Sequence, residues 1–142
     1  MQLGTFGAVF EAAIRLEESL ARRYEAQADA QMGAAQQVYR DLAGDGARRL
    51  KLLERLRRET VTEMILEPIQ GLSLGADLAT LAETAPSAPL TPADALILEQ
   101  SICAFYKAAA DRIGLAEAAR ALRKLGQGSA GRAEQVQAVC PT

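Results

Sequence analysis

Between Thr5 and Gln31 apolar residues return at helical spacing, through Phe6, Phe10, Ala13, Ile14, Leu20, Tyr24 and Ala28. The pattern predicts a helix over 5–31, with Thr5 as N-cap and Gly4 and Gly7 fraying that end. It breaks at Met32-Gly33, resumes through Val38, Leu42, Leu53, Leu56 and Met64, and stops at Pro68. Proline removes a donor and clashes with the preceding turn, so a second helix is expected over 34–67. Gly44-Asp45-Gly46 marks a weak point within it. Residues 69–91, "IQGLSLGADLATLAETAPSAPLT", read as a crossover with one short helical turn at Ala76–Ala82. "TPAD" then opens a helix over 92–113: Thr91 is the cap, Pro92 takes the first helical position, and Asp94 favours the N-terminal dipole. A last helix is expected over 115–139, weakened at Gly126, Gly128 and Gly131.

Four long helices with short, long and short connections form a bundle with one crossover. A connection of this length returns along a ~30 Å helix at about 3.3 Å per extended residue. The fold class is therefore all-α: a four-helix bundle of two helical hairpins, filling residues 1–142 as one domain.

Composition supports helix over strand, since alanine, leucine, arginine and glutamate dominate. The formal net charge of −2 gives no electrostatic basis for binding nucleic acid or an anionic membrane. No stretch approaches the ~20 apolar residues of a membrane span. The apolar run near Val9 is broken by Glu11 and lacks a basic lead, so no secretory leader is read and a cytoplasmic protein is expected. Two cysteines, Cys103 and Cys140, are too few for a disulfide framework. Cys103 reads as a small buried hydrophobe and Cys140 as exposed. The chain has no histidine, which removes the commonest general base and metal ligand together.

One phrase occurs twice. "LEESLARRYEAQAD" (Leu16 to Asp29) and "LEQSICAFYKAAAD" (Leu98 to Asp111) share Leu, Glu, Ser, Tyr, two Ala and Asp at equal offsets. Glu17 and Tyr24 lie two helical turns apart, as do Glu99 and Tyr106, so each pair shares a face. Each glutamate falls within an apolar stripe: Phe10, Ala13, Glu17, Leu20, Tyr24 on the first helix, and Ala95, Glu99, Ile102, Tyr106, Ala109, Ile113 on the third. Either glutamate sits at the edge of its stripe and reaches solvent, or both face inward, as their equivalent repeat positions favour; an inward carboxylate needs a partner, because burying it unpaired costs several kcal/mol or forces its pKa upward.

Paired "Glu, six residues, Tyr" phrases within a duplicated crossover bundle resemble the rubrerythrin branch of the ferritin-like superfamily. The stretches "FGAVFEAAIRLEESLARRYEAQA" and "LKLLERLRRE" are similar to that branch as well. The resemblance implies a bundle centre with two irons, bound by one Glu from each of two helices and a Glu-x-x-His from each of the others. Glu17 and Glu99 match the single-glutamate positions. The other positions depart from the pattern: Gly46 stands where Glu is expected and Arg49 where His is expected, and Ser129 and Arg132 form the equivalent pair. Asp45 lies one residue out of place. The candidate metal ligands reduce to Glu17, Glu99 and Asp45, short of the roughly six donors of a di-iron centre.

Both missing histidines are arginines. On the second helix Leu42, Arg49, Leu53, Leu56 and Thr60 share a stripe, and on the fourth Leu122, Leu125, Arg132, Val136 and Val139 do. Two placements are open. Arg49 and Arg132 either enter the core as a salt-bridge layer with Glu17 and Glu99, lined by Tyr24, Tyr106, Gly46 and Ser129, or snorkel to the surface. The basic cluster Arg48, Lys51, Arg55 and Arg58 reads as a solvated face. Glu63 and Glu67 read as helix-end residues that a stray cation or partner would also suit.

The function expected is a non-catalytic structural or partner-binding bundle, acting as a homodimer, with no resident cofactor. The alternative is an iron-binding oxidoreductase or iron-handling protein with a reduced ligand set. A third possibility is a small ligand in the space left by Gly46 and Ser129.

Overall fold

The computed structural model describes residues 2–60, 67–83 and 89–140. Five helices span these residues: α1 Phe6–Asp29, α2 Gly33–Thr60, α3 Ala76–Glu83, α4 Pro92–Arg112 and α5 Ala116–Val139. Helix starts have local causes. The Thr5 hydroxyl accepts from the Ala8 N–H at 3.1 Å, and the Thr91 hydroxyl accepts from the Asp94 N–H at 3.2 Å, satisfying N-terminal donors that the helix itself leaves open. Gly33, at φ +67°, makes the reversal between α1 and α2.

Two expectations change. α2 is followed as far as Thr60, and Glu67 is already outside any helix; residues 61–66, with Glu63 among them, lie outside the described residues. Nor does α2 weaken at Gly44-Asp45-Gly46. Glycine costs about 1 kcal/mol per helical position, but Leu42, Ala43, Leu53 and Leu56 bury the helix on either side and hold it regular. Gly46 serves a close approach instead: a Cβ there would come within 2.9 Å of the Ala21 Cβ. Gly126 does the same between α5 and α4, where an added Cβ would stand 3.4 Å from the Cys103 carbonyl and the Tyr106 Cβ. Cys103 is half-buried rather than buried, and Cys140 half-buried rather than exposed.

The helices pair most closely within two hairpins, α1 with α2 and α4 with α5; α2 and α5 approach more sparsely across the seam between them. The connection from α2 to α4 is pinned early. Leu3 N–H donates to the Leu72 carbonyl at 3.0 Å, Ile69 N–H to Gly4 at 2.9 Å, and Phe6 N–H to Glu67 at 3.0 Å. Leu72, Leu74, Leu78, Leu81 and Leu90 then cover the core that begins at Leu3, Phe6 and Phe10. No helix among the described residues is long and apolar enough to cross a membrane.

Candidate functional site

The stripes on the four long helices meet at the seam, and their polar members meet with them. Glu17 from α1 and Glu99 from α4 are fully enclosed, at 0 % exposure each; Arg49 from α2 and Arg132 from α5 are 5 % and 3 % exposed. Neither arginine snorkels. Glutamate and arginine at these positions point inward because each occupies a register otherwise filled by leucine, alanine and tyrosine.

Arg132 bridges both carboxylates. Its Nη2 donates to Glu17 Oε1 at 3.1 Å and to Glu99 Oε1 at 2.9 Å, and its Nε lies 2.9 Å from Glu99 Oε2. Arg49 reaches one carboxylate, with Nε 3.0 Å from Glu17 Oε2. Its Nη2 instead crosses to α5 and donates to Ser129 Oγ at 2.8 Å and to the Leu125 carbonyl at 2.9 Å. The two Nε contacts are close ion pairs without aligned hydrogen bonds. The Tyr24 hydroxyl donates to Glu99 Oε2 at 2.6 Å. Its repeat counterpart differs: the Tyr106 hydroxyl has no hydrogen-bond partner among the described residues, and Arg49 sits over its ring, Cζ 5.6 Å from the centroid. The repeated phrase has therefore produced a layer that is only approximately symmetric. Glu17 has two arginines and Glu99 has one arginine and a tyrosine.

The four charges cancel, as buried charges must. Burial pushes the Glu99 carboxyl above the usual carboxylate range, against the pull of Arg132 and the Tyr24 hydrogen bond. Arg132 is also buried, but Glu17 and Glu99 outweigh that and hold its guanidinium more firmly protonated. Burial, reinforced by Glu99 and Glu17 respectively, raises Tyr24 and Tyr106, so both phenols stay neutral. The layer holds its charge in internal pairs.

Asp45 stays at the rim, with its side chain 35 % exposed and Oδ2 3.9 Å from Nη1 of both arginines. The guanidinium groups thus separate Asp45 from the carboxylates it would have to join to bind a metal. Gly46 leaves no space to fill, because Ala21 occupies it, and the Ser129 hydroxyl is taken up by Arg49. Two contributors escape sequence reasoning. The Leu125 carbonyl accepts from Arg49, and Gly128 makes room for that guanidinium, since a Cβ there would stand 3.1 Å from Arg49 Nη1. A glycine beside an arginine-bearing stripe was the available signal. Glu67 is exposed.

No family model, curated protein or solved structure matches the chain.

The donor set does not suit a di-iron centre. Among the described residues no group of three or more His, Cys, Asp or Glu side chains could hold a metal ion. The two inward carboxylates are paired instead with the guanidinium groups of Arg49 and Arg132.

Proposed function

We propose that this chain is a non-catalytic bundle of ferritin-like, rubrerythrin-like descent, in which a salt-bridge layer has replaced the di-iron site, and that it acts as a structural or partner-binding protein. The observation that carries the reading is the interlocked quartet of Glu17, Glu99, Arg49 and Arg132 in the seam. Two guanidinium groups supply the positive charge that metal ions would otherwise supply to the glutamates. They supply it permanently, because arginine does not deprotonate. Such a layer fixes the register of four helices, in the way buried polar groups specify one packing among several. The duplicated Glu-Tyr phrase supports the descent.

The test is metal content after purification, combined with absorbance after Fe(II) addition under air. The expected result is no stoichiometric iron and no oxo-bridge band. Stoichiometric iron with that band would overturn the reading in favour of an iron protein with a reduced ligand set.

A further inference from the structure

We propose that the outer edge of the charged layer is a binding site for a small neutral polyhydroxy compound, a polyol or monosaccharide, which docks one hydroxyl between Asp45 and the two arginines.

Donor and acceptor chemistry at that edge selects the ligand class. Asp45 Oδ2 lies 3.9 Å from Arg49 Nη1 and 3.9 Å from Arg132 Nη1. That separation is beyond hydrogen-bond distance, yet an oxygen about 2.8 Å from all three atoms would see each N–O pair at roughly a right angle. Such an oxygen must accept twice, because guanidinium groups only donate, and donate once, because an ionised carboxylate only accepts. A hydroxyl does both. An oxyanion cannot donate to Asp45, and an ammonium cannot accept from arginine. The three groups are also held in place. Arg49 Nε lies 3.0 Å from Glu17 Oε2, and Arg132 Nη1 donates to the same oxygen at 3.4 Å. Arg48 Nη2 donates to Asp45 Oδ1 at 3.5 Å, which leaves Oδ2 to face the arginines.

The gap between α2 and α5 opens the approach. A hollow of about 360 Å³ has Asp45 and Arg132 in its wall, and ligand pockets run from about 300 to 1,000 Å³, so the guest is small. Two glycines of α5 keep it open. A Cβ at Gly128 would stand 3.1 Å from Arg49 Nη1, and a Cβ at Gly131 would meet nothing within 4 Å. Asp41, Arg48 and Gln135 complete the wall and offer acceptors and donors to neighbouring hydroxyls. The four charges of the layer cancel, so Asp41, Asp45 and Arg48 leave the mouth with one surplus negative charge. That surplus disfavours an anion.

The site depends on the geometry of the layer and not on the descent proposed above. Its test is an NMR titration of the isotope-labelled full chain with glucose, with sodium phosphate at matched ionic strength as the oxyanion comparison. Glucose should shift the Gly128, Gly131 and Asp45 amides saturably, and leave that of Met32, in the exposed turn between α1 and α2, unmoved. Gly131→Leu puts a side chain into the hollow and should abolish the shifts while the melting transition is retained. Asp45→Ala should weaken glucose binding by about tenfold, the loss of one hydrogen bond to a charged group. Asp45→Asn, whose amide oxygen still accepts, should recover part of that loss. Shifts that rise without saturation, or that survive Gly131→Leu, overturn the proposal and leave water as the guest at this edge. Saturable phosphate binding that strengthens in Asp45→Ala overturns it in favour of an oxyanion site. Neither result bears on the quartet, which iron content tests separately.

Discussion

Glu17→Gln is the sharpest probe of the layer, because it preserves shape and removes one charge. Glu17 is fully enclosed and contacted by both arginines, Arg49 Nε at 3.0 Å and Arg132 Nη2 at 3.1 Å. The glutamine amide still accepts one bond, but the layer is left with a surplus positive charge in a low-dielectric interior. Breaking one partner of a buried pair costs about 3–5 kcal/mol. With an unfolding entropy of about 2.1 cal/mol/K per residue, a chain of this size would lose about 10–17 °C in Tm. The assay is urea unfolding followed by far-UV circular dichroism, since the chain has no tryptophan to report by fluorescence. The midpoint should fall while the m-value holds, showing that stability and not compactness changed. Glu11→Gln is the control: Glu11 pairs with Arg15 at 2.9 Å with both side chains more than half exposed, and such pairs contribute about 0–1 kcal/mol. If Glu17→Gln costs no more than Glu11→Gln, the layer is solvated and the reasoning fails.

Glu99→Gln should cost less than Glu17→Gln at neutral pH, because burial already pushes the Glu99 carboxyl above the ordinary range. Facing Tyr24, Glu17, Arg49 and Arg132, it binds its proton more readily folded than unfolded; wild-type stability should therefore fall as pH rises from its unfolded pKa through its folded pKa, relative to Glu99→Gln. Parallel stability curves for the two proteins would refute that sign. Ser129→Ala removes an acceptor of Arg49 at 2.8 Å and should cost about 1.5–3 kcal/mol by chemical denaturation. Gly46→Ala should destabilise by about 1–3 kcal/mol through overpacking, because its Cβ meets Ala21 at 2.9 Å; Ala21→Gly should relieve it, and no recovery in the double variant would count against the clash. A Cβ at Gly131 would meet nothing within 4 Å, so Gly131→Ala should stabilise α5 by about 0.5–1 kcal/mol, read as a rise in Tm.

Much of the architecture was written in local chemistry. Thr5, Thr91 and Pro92 set helix starts, and the stripes through Phe10, Leu20, Leu53, Ile102 and Leu122 set the faces that close the core. Periodicity also put Glu17, Glu99, Arg49 and Arg132 on the apolar stripes, and left open whether the glutamates would sit at a stripe's edge. It left open whether the arginines would turn back to solvent, because a long flexible side chain reaches either environment from one Cα. The glycines misled for a related reason. Propensity marks Gly44 and Gly46 as weak points, whereas Gly46 is a place where α1 and α2 approach closely.

The sequence by itself determined the helices, their pairing into two similar halves, and the doubled Glu-Tyr phrase, since these depend on spacing along one chain. Only the tertiary structure decided how the charges are shared. It gave Glu17 two arginines and Glu99 one, sent Arg49 to Ser129 and Leu125, and left Asp45 at the rim. Those outcomes turn on differences of an ångström between four helices brought together from distant parts of the chain. Coulomb energy and hydrogen-bond geometry change steeply over that range, and no pattern along a single helix encodes it.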